Sequence, residues 1–537
     1  MDARISAIPA LIQRRPALAA IVLGLIAACA YPPLHLWPLG LAALAGFVWL
    51  IYTAPTKRAA LWLGWCFGWA HLTLANNWIA TAFTHQAKMP EALGWVAVPL
   101  VCMYLAIYPA LAALAAHLLA RRAPLPAFAL VLAGAWVLAE WARGTFFTGY
   151  PWPPAGLMLL GGWKAQGLAA VLPWMGTYAL SGFTVVLAGL LLWALIARRW
   201  VAAAGAGVVV VAASMHFPAI EVTPPIKGLN YTLVQPLLKQ SEINDASKFE
   251  EQFVRLADLT MPGRDQSRIV LWPESAIPDY LEDGYPERYY FQTTAGADPE
   301  FARRRIGAVI GPQSTLLAGV VNLDIAARKD GSLGAVSARN SVIALGGEGE
   351  IRHHYAKAHL VPFGEYLPLR TILEPLGLSR LVAGSIDYAP GPGPRTLDLG
   401  EHGKAGIQIC YEIVFSGAVV DADNRPDYIF NPSNDGWFGT WGPPQHLAQA
   451  RMRALEEGLP VLRSTTTGIS AVIDANGIVR GAIGPGKADK LEGIVPTALP
   501  PTLFARAGHW LTLGWALSLL LLGLGMPRLL ALIHRRG

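Results

Sequence analysis

Charge is what this chain has little of. Charged residues make up 15% of the sequence, well below the roughly one quarter typical of soluble domains, while apolar residues reach 54%. Such a mixture excludes an ordinary soluble protein and points to a membrane protein. The scarcity is also uneven, because almost every carboxylate lies between residues 217 and 508, with apolar runs on both sides. A polar domain is therefore inserted between membrane segments. The formal net charge of +6 does not signal nucleic acid, since the basic residues stand in pairs at the ends of apolar runs. Cysteine is scarce too. Of the four, Cys29, Cys66 and Cys102 lie in apolar stretches and Cys410 alone belongs to the polar part, which excludes a disulfide within that part and leaves a lone thiol to be explained. No phosphate-cradling glycine loop is present. His353 and His354 are adjacent on a strand-like run and point to opposite faces, so they do not suggest a metal site.

A helix that crosses a bilayer needs about 20 mainly apolar residues, because its backbone groups find no water there. Segments 17–31, 36–52, 59–79, 93–119, 126–142, 171–197 and 201–217 qualify before the polar region, and 509–533 follows it. The first is short. Basic pairs at Arg14 and Arg15, Lys57 and Arg58, Arg121 and Arg122, Arg198 and Arg199, and Arg535 and Arg536 fall at every second boundary. The positive-inside rule then puts both termini in the cytoplasm and the inserted domain on the extracytoplasmic face. Ile26, Ala27, Ala28 and Cys29 imitate a lipoprotein cleavage box, but an uncleaved first helix is the preferred reading. Glu140 and Arg143 are spaced to pair on one helix face, either as a structural ion pair or as a contact to a lipid headgroup.

From about residue 227 short strand-like runs appear at 231–236, 268–274, 308–312, 341–345, 406–410 and 428–434. Stretches of helical length, such as 245–259 and 446–458, lie between several of them. This alternation predicts a layered α/β sheet with reactive groups at strand ends. Three residues stand out: Glu274 in LWPES, Lys357 in HHYAKAHLVPFGEYLP and Cys410 in QICYE. Taken singly, these read as a turn carboxylate, a surface lysine and a packed thiol. Taken together they suit acyl chemistry: a carboxylate serves as base for the thiol, and an ammonium group with a backbone N–H, here that of Tyr411, can hold the charge that develops on an attacked carbonyl.

The Glu, Lys and Cys set resembles that of the nitrilase superfamily. Several motifs extend the likeness over nearly the whole chain: WVLAEWARG (136–144), TGYPW (148–152), WPESAIP (272–278), YAKAHLVPFGEYLP (355–368), ICYE (409–412), SNDGWFG (433–439) and QHLAQARMRALEEGLPVLRSTTTGIS (445–470). In that order they resemble the bacterial apolipoprotein N-acyltransferases, the membrane-integrated branch of the superfamily. The resemblance implies about eight transmembrane helices around an αββα nitrilase-like domain, with helices in 1–225, the catalytic domain in 226–500 and a last helix in 501–537. It implies an inner-membrane acyltransferase that needs no cofactor. Cys410 would take an acyl chain from a phospholipid as a thioester and pass it to the α-amine of a diacylglyceryl-cysteine on an apolipoprotein. A monomer is expected. Glu365 and Glu412 would support the site, and Trp437 and Phe438 either touch the acyl chain or pack in the core. A membrane-tethered amidase, with water in place of the amine, is the main alternative, and a non-catalytic membrane scaffold or transporter is another.

The likeness has two departures. The segment after the first domain strand, QPLLKQSEINDAS, lacks the Trp that the family pattern places there, and Thr466 and Thr467 stand where an Asn pair is common. A hydroxyl can replace some of the amide hydrogen bonds. The apolar stretch 367–382, with Leu369, Leu373, Leu376 and Leu381, suits a lid or a packed helix equally.

Overall fold

The computed structural model describes residues 14–85, 90–198, 201–216, 225–328, 331–377, 379–381 and 387–536. The chain divides into two compact units, one formed by 1–80, 92–220 and 501–537, the other by 81–91 and 221–500.

The first unit is helical. It contains α1 (Pro16–Ala28), α2 (Trp37–Tyr52), α3 (Lys57–Ala75), α4 (Leu93–Leu105), α5 (Ile107–Ala120), α6 (Leu125–Thr145), α7 (Leu172–Ala197), α8 (Val201–His216) and a closing helix His509–Arg536. Each apolar segment expected from the sequence contains a helix, though the helices in 17–31 and 59–79 end early, at Ala28 and Ala75. By length and composition, four stretches among the described residues are able to cross a membrane: 93–120, 125–145, 168–197 and 509–527. The segment predicted as one helix over 93–119 is parted at Ala106. Pro109 accounts for this, because it offers no N–H to the carbonyl of Leu105 and its ring crowds that carbonyl. Small residues let the helices approach closely. A Cβ on Gly64 would lie 2.7 Å from the Ala113 Cβ, and one on Gly68 only 2.2 Å from the Pro109 Cγ, so the spacing Gly64–x3–Gly68 seats α3 against α5 as close-packed membrane helices require. Trp62, Trp95, Leu100, Leu118 and Leu522 face outward and exposed, which suits a hydrocarbon surround rather than water.

The second unit holds two six-stranded sheets. Its elements are β1 (Pro225–Gln235), α9 (Phe249–Thr260), β2 (Ile269–Leu271), α10 (Pro299–Ile310), β3 (Thr315–Ala327), β4 (Leu333–Gly346), β5 (Ile351–Ala356), β6 (Thr396–Asp398), β7 (Lys404–Ile407), β8 (Tyr428–Ser433), α11 (Gly442–Glu457), β9 (Val461–Thr465), β10 (Ser470–Ile473), β11 (Val479–Ile483) and β12 (Asp489–Pro496). One sheet runs β12-β1-β2-β3-β4-β5 and the other β11-β10-β9-β8-β7-β6. In each, three neighbouring strands are parallel, β1–β2–β3 and β7–β8–β9. Polar side chains tie the sheets where β1 meets β9: Ser464 donates to the Val234 carbonyl at 2.7 Å and Thr465 to Gln235 Oε1 at 2.9 Å. Helices α9 and α10 cover the first sheet over a core of Leu256, Ile306, Val270, Trp272, Leu316 and Ile343, while α11 packs against β9 and β10.

One strand expectation fails. The run AVIGP at 308–312 ends helix α10 instead. Asp298 caps that helix by accepting from the Glu300 N–H, Pro299 sits in its first turn, and Ala302, Ile306, Val309 and Ile310 bury one face at helical spacing. Gly311, with φ of 93°, stops it. The strand itself begins three residues later as β3. The stretch 367–382 is no continuous helix either. It shows two short turns, Arg370–Leu373 and Glu374–Leu376, with Leu369 and Ile372 exposed, and residues 378 and 382 lie outside those described.

Candidate active site

Glu274, Lys357 and Cys410 leave the ends of strands, as open sheets place reactive groups. Glu274 stands three residues past the end of β2, Cys410 three past the end of β7, and Lys357 directly follows β5. Close backbone contact makes room for the first. A Cβ on Gly319 of β3 would lie 2.6 Å from the Glu274 Cα, so only glycine lets β3 run beneath that turn.

The structure brings the three together and buries them, with Lys357 only 1% exposed. The Lys357 ammonium is 3.0 Å from Glu365 Oε1 and 3.6 Å from Glu274 Oε1. Asn340, on β4, bridges the same two oxygens through its Nδ2, at 2.7 Å to Glu274 and 2.9 Å to Glu365. The second oxygens are held by backbone amides, Glu274 Oε2 by Asn434 N–H at 2.7 Å and Glu365 Oε2 by Val361 N–H at 2.8 Å. Both carboxylates are thus fixed in rotation. Burial by itself lowers the pKa of the Lys357 ammonium, but Glu365 and Glu274 outweigh it and hold the group above the usual lysine range.

The thiol behaves otherwise. Burial pushes the pKa of Cys410 well up, the charge of Glu274 adds to this, and Lys357 and the Asn434 amide oppose it without prevailing. A neighbouring ammonium by itself favours thiolate, but here desolvation wins and the resting group is a thiol. A direct test follows from the sign. Because the thiolate is a small fraction that grows with pH, alkylation of Cys410 by iodoacetamide should rise about tenfold per pH unit from pH 7 to 9 without a plateau. A plateau near pH 7 would reveal a preformed thiolate and contradict the burial argument.

Cys410 occupies a sharp turn with φ of 51°, a left-handed conformation that costs a non-glycine residue ~1–2 kcal/mol. Glu412 clamps that turn. It accepts from Ile409 N–H at 2.8 Å, Ala358 N–H at 2.7 Å, His359 N–H at 3.2 Å and Tyr355 OH at 2.9 Å, joining the nucleophile's turn to the chain just beyond Lys357. Burial pushes its pKa up to about 7 against these donors. Glu365 therefore holds the lysine directly, and Glu412 holds the backbone around both.

Residues 445–470 and 433–439 supply a second buried layer. Asp435 receives Arg463 Nη2 at 2.7 and 2.8 Å and lies 3.2 Å from His446 Nδ1, while His446 Nε2 is 3.0 Å from the Cys410 carbonyl. Thr466 donates to Asn434 Oδ1 at 2.8 Å, so a hydroxyl serves the loop that carries the Glu274 clamp. Phe438 is buried with its ring edge-on to His446, and Trp437 is half-buried with its ring against His85. Phe438 thus packs in the core. In the helical unit, Arg143 donates to the carbonyls of Tyr150, Trp152 and Pro153, and Glu140 accepts from Trp136 Nε1 and Ala155 N–H. The two groups lie 3.9 Å apart, both buried, and knit the end of α6 to the following loop.

Residues 23–191 match the family description Apolipoprotein N-acyltransferase N-terminal domain, and residues 233–492 match Carbon-nitrogen hydrolase. The apolipoprotein N-acyltransferase of Bradyrhizobium diazoefficiens is 34% identical over 523 residues, covering 92% of this chain and 91% of its own. The chain belongs to the apolipoprotein N-acyltransferase family. The enzymes of that name from Rhodopseudomonas palustris, 32% identical with 92% of each chain covered, and Caulobacter vibrioides, 34% identical over 90% of this chain and 89% of its own, align over a similar extent. Among solved structures, an amidase from Nesterenkonia sp. superposes with a TM-score of 0.35 at 16% identity, over 52% of this chain and 94% of the amidase. Family membership makes the chain an acyltransferase with a nitrilase-type domain, and apolar helices able to cross a membrane accompany it.

Asn340, Asn434, His446, Asp435 and Arg463 escaped sequence reasoning as individuals. Four of them lie inside motifs that carry the acyltransferase resemblance and were legible as members of a pattern. Asn340 sits in an ordinary strand, and its partners are 66 and 25 positions away in sequence.

Proposed function

We propose that the chain transfers an acyl group from a phospholipid to the α-amine of a diacylglyceryl-modified N-terminal cysteine on an apolipoprotein, through a thioester on Cys410. The observation that carries the proposal is a buried thiol in the field of a carboxylate, Glu274, and of an ammonium, Lys357, paired with Glu365, both carboxylates being held by Asn340.

The thiol proton passes to Glu274 as the sulfur attacks the lipid ester carbonyl. The carbonyl oxygen gains negative charge, which Lys357 and the Tyr411 N–H stabilise. The C–O bond then breaks, Glu274 returns the proton to the departing alkoxide, and a lysophospholipid leaves. In the second half the lipoprotein amine attacks the thioester. An α-amine has a reference pKa near 7.7–8.0, so a usable fraction is already neutral. Glu274 takes the proton released as the C–N bond forms, and on breaking of the C–S bond the sulfur recovers it. An ester becomes an amide with no nucleotide consumed.

The paired basic residues at alternate helix ends support placement in the bacterial inner membrane, with termini cytoplasmic and catalytic domain extracytoplasmic. The deciding experiment supplies the purified full chain with phospholipid and a synthetic diacylated lipopeptide. Mass spectrometry should show N-acylated peptide and one lysophospholipid per product. Free fatty acid without acylated peptide would make the chain a hydrolase and overturn the acceptor.

A further inference from the structure

His446 stands in the first turn of α11, fully buried, between two environments. On one side its Nε2 lies 3.0 Å from the carbonyl oxygen of Cys410. An oxygen can only accept, so Nε2 carries a proton. On the other side Nδ1 lies 3.0 Å from Arg463 Nη2 and 3.2 Å from Asp435 Oδ1. Arg463 can donate to Nδ1 and Asp435 can accept from it, so that edge of the ring is held with Nδ1 bare or protonated, and in both cases Nε2 keeps its proton. Burial, with Arg463 beside it, lowers the imidazole to about 4 against the opposing pull of Asp435. Asn431 Nδ2 reaches the same Cys410 carbonyl only at 3.5 Å, longer than a normal hydrogen bond. His446 supplies the strong one.

The carbonyl of Cys410 and the N–H of Tyr411 belong to one planar trans peptide and point in opposite directions. Whatever fixes the carbonyl therefore aims the amide. We propose that His446 is a positioning residue for acylation: by donating Nε2–H to the Cys410 carbonyl it locks the left-handed nucleophile turn, so that the Tyr411 N–H faces away from it as an oxyanion donor. The Asp435–Arg463 pair holds the opposite edge of the ring and so fixes its orientation. The inference rests on the acyl-transfer reading of the site and adds a residue that does not touch the substrate.

Two substitutions separate this role from simple packing. In His446→Gln the terminal amide nitrogen can occupy the Nε2 position and keep the donor to Cys410. In His446→Asn the shorter amide can keep the Arg463 and Asp435 contacts but cannot reach the carbonyl. Full-length chains in detergent are compared in two reactions at Cys410: acylation by a p-nitrophenyl ester, which develops an oxyanion, and alkylation by iodoacetamide, which does not. Acylation by His446→Asn should slow by ~10²-fold, the scale of a lost oxyanion donor, with KM little changed. Alkylation should stay within about twofold, and His446→Gln should stay within about threefold of the parent in both. Unaltered acylation in His446→Asn overturns the proposal, as does an equal fall of acylation and alkylation, which marks general disorder of the turn. If the parent chain is acylated but makes no N-acylated lipopeptide, the acceptor reading fails and the two variants still decide the role of His446. If the parent is not acylated at all, both fall.

Discussion

Cys410→Ser should abolish the acyl-enzyme. After incubation with phospholipid, the intact mass of the parent chain is expected to rise by one acyl group, and hydroxylamine should remove the adduct because thioesters are cleaved readily. The serine variant should show no adduct, and transfer to lipopeptide should fall by at least ~10³-fold, the usual scale for removing a nucleophile. Sulfur and oxygen differ little in size, so the turn at φ 51° and its clamp by Glu412 survive the change. The loss is then chemical. The hydroxyl is a far weaker acid than the thiol, and Glu274 has to remove its proton in the same buried site where even the thiol resists ionisation. An adduct that persists in Cys410→Ser, or one that withstands hydroxylamine, would place the acyl group on another residue.

Lys357→Met should damage both activity and stability, and the two effects can be separated. Methionine fills similar space without charge, leaving Glu274 and Glu365 facing each other with only Asn340 between them. Removing one member of a buried ion pair costs about 3–5 kcal/mol, because the remaining charge loses its counterion, so thermal unfolding in detergent should begin many degrees earlier. Acyl transfer should fall ~10²–10³-fold with the loss of the oxyanion cation. Adding Glu365→Gln to Lys357→Met removes one of the opposed charges. That double variant should regain most of the stability and none of the activity. Recovery of activity along with stability would show that Lys357 serves the fold alone.

Burial sets the loss of stability and the place where charge develops sets the loss of rate, and the two are unequally visible in a sequence. Glu274 and Cys410 were legible because each ends a strand-like run, and Lys357 because it stands in a motif that carries the acyltransferase resemblance. The motif does not say that the thiol is protonated. That follows from desolvation, and desolvation depends on what the rest of the domain packs around the sulfur. Glu140 and Arg143 show the same division. Their i, i+3 spacing announces a pair, but the three carbonyls that Arg143 holds come from a loop whose path no periodicity encodes.

The sequence by itself determined where the chain is helical and apolar, where its carboxylates concentrate, and which motifs align it with a family of acyltransferases. These are properties of windows of a few to some twenty residues, and hydrophobic periodicity and charge placement are local signals. The tertiary structure alone decided that Asn340 joins two carboxylates and that a histidine 36 positions after Cys410 holds that residue's carbonyl. A hydrogen bond between distant residues, or a pKa moved by burial, exists only once the sheets and helices have closed on one another, and no segment read in isolation contains it.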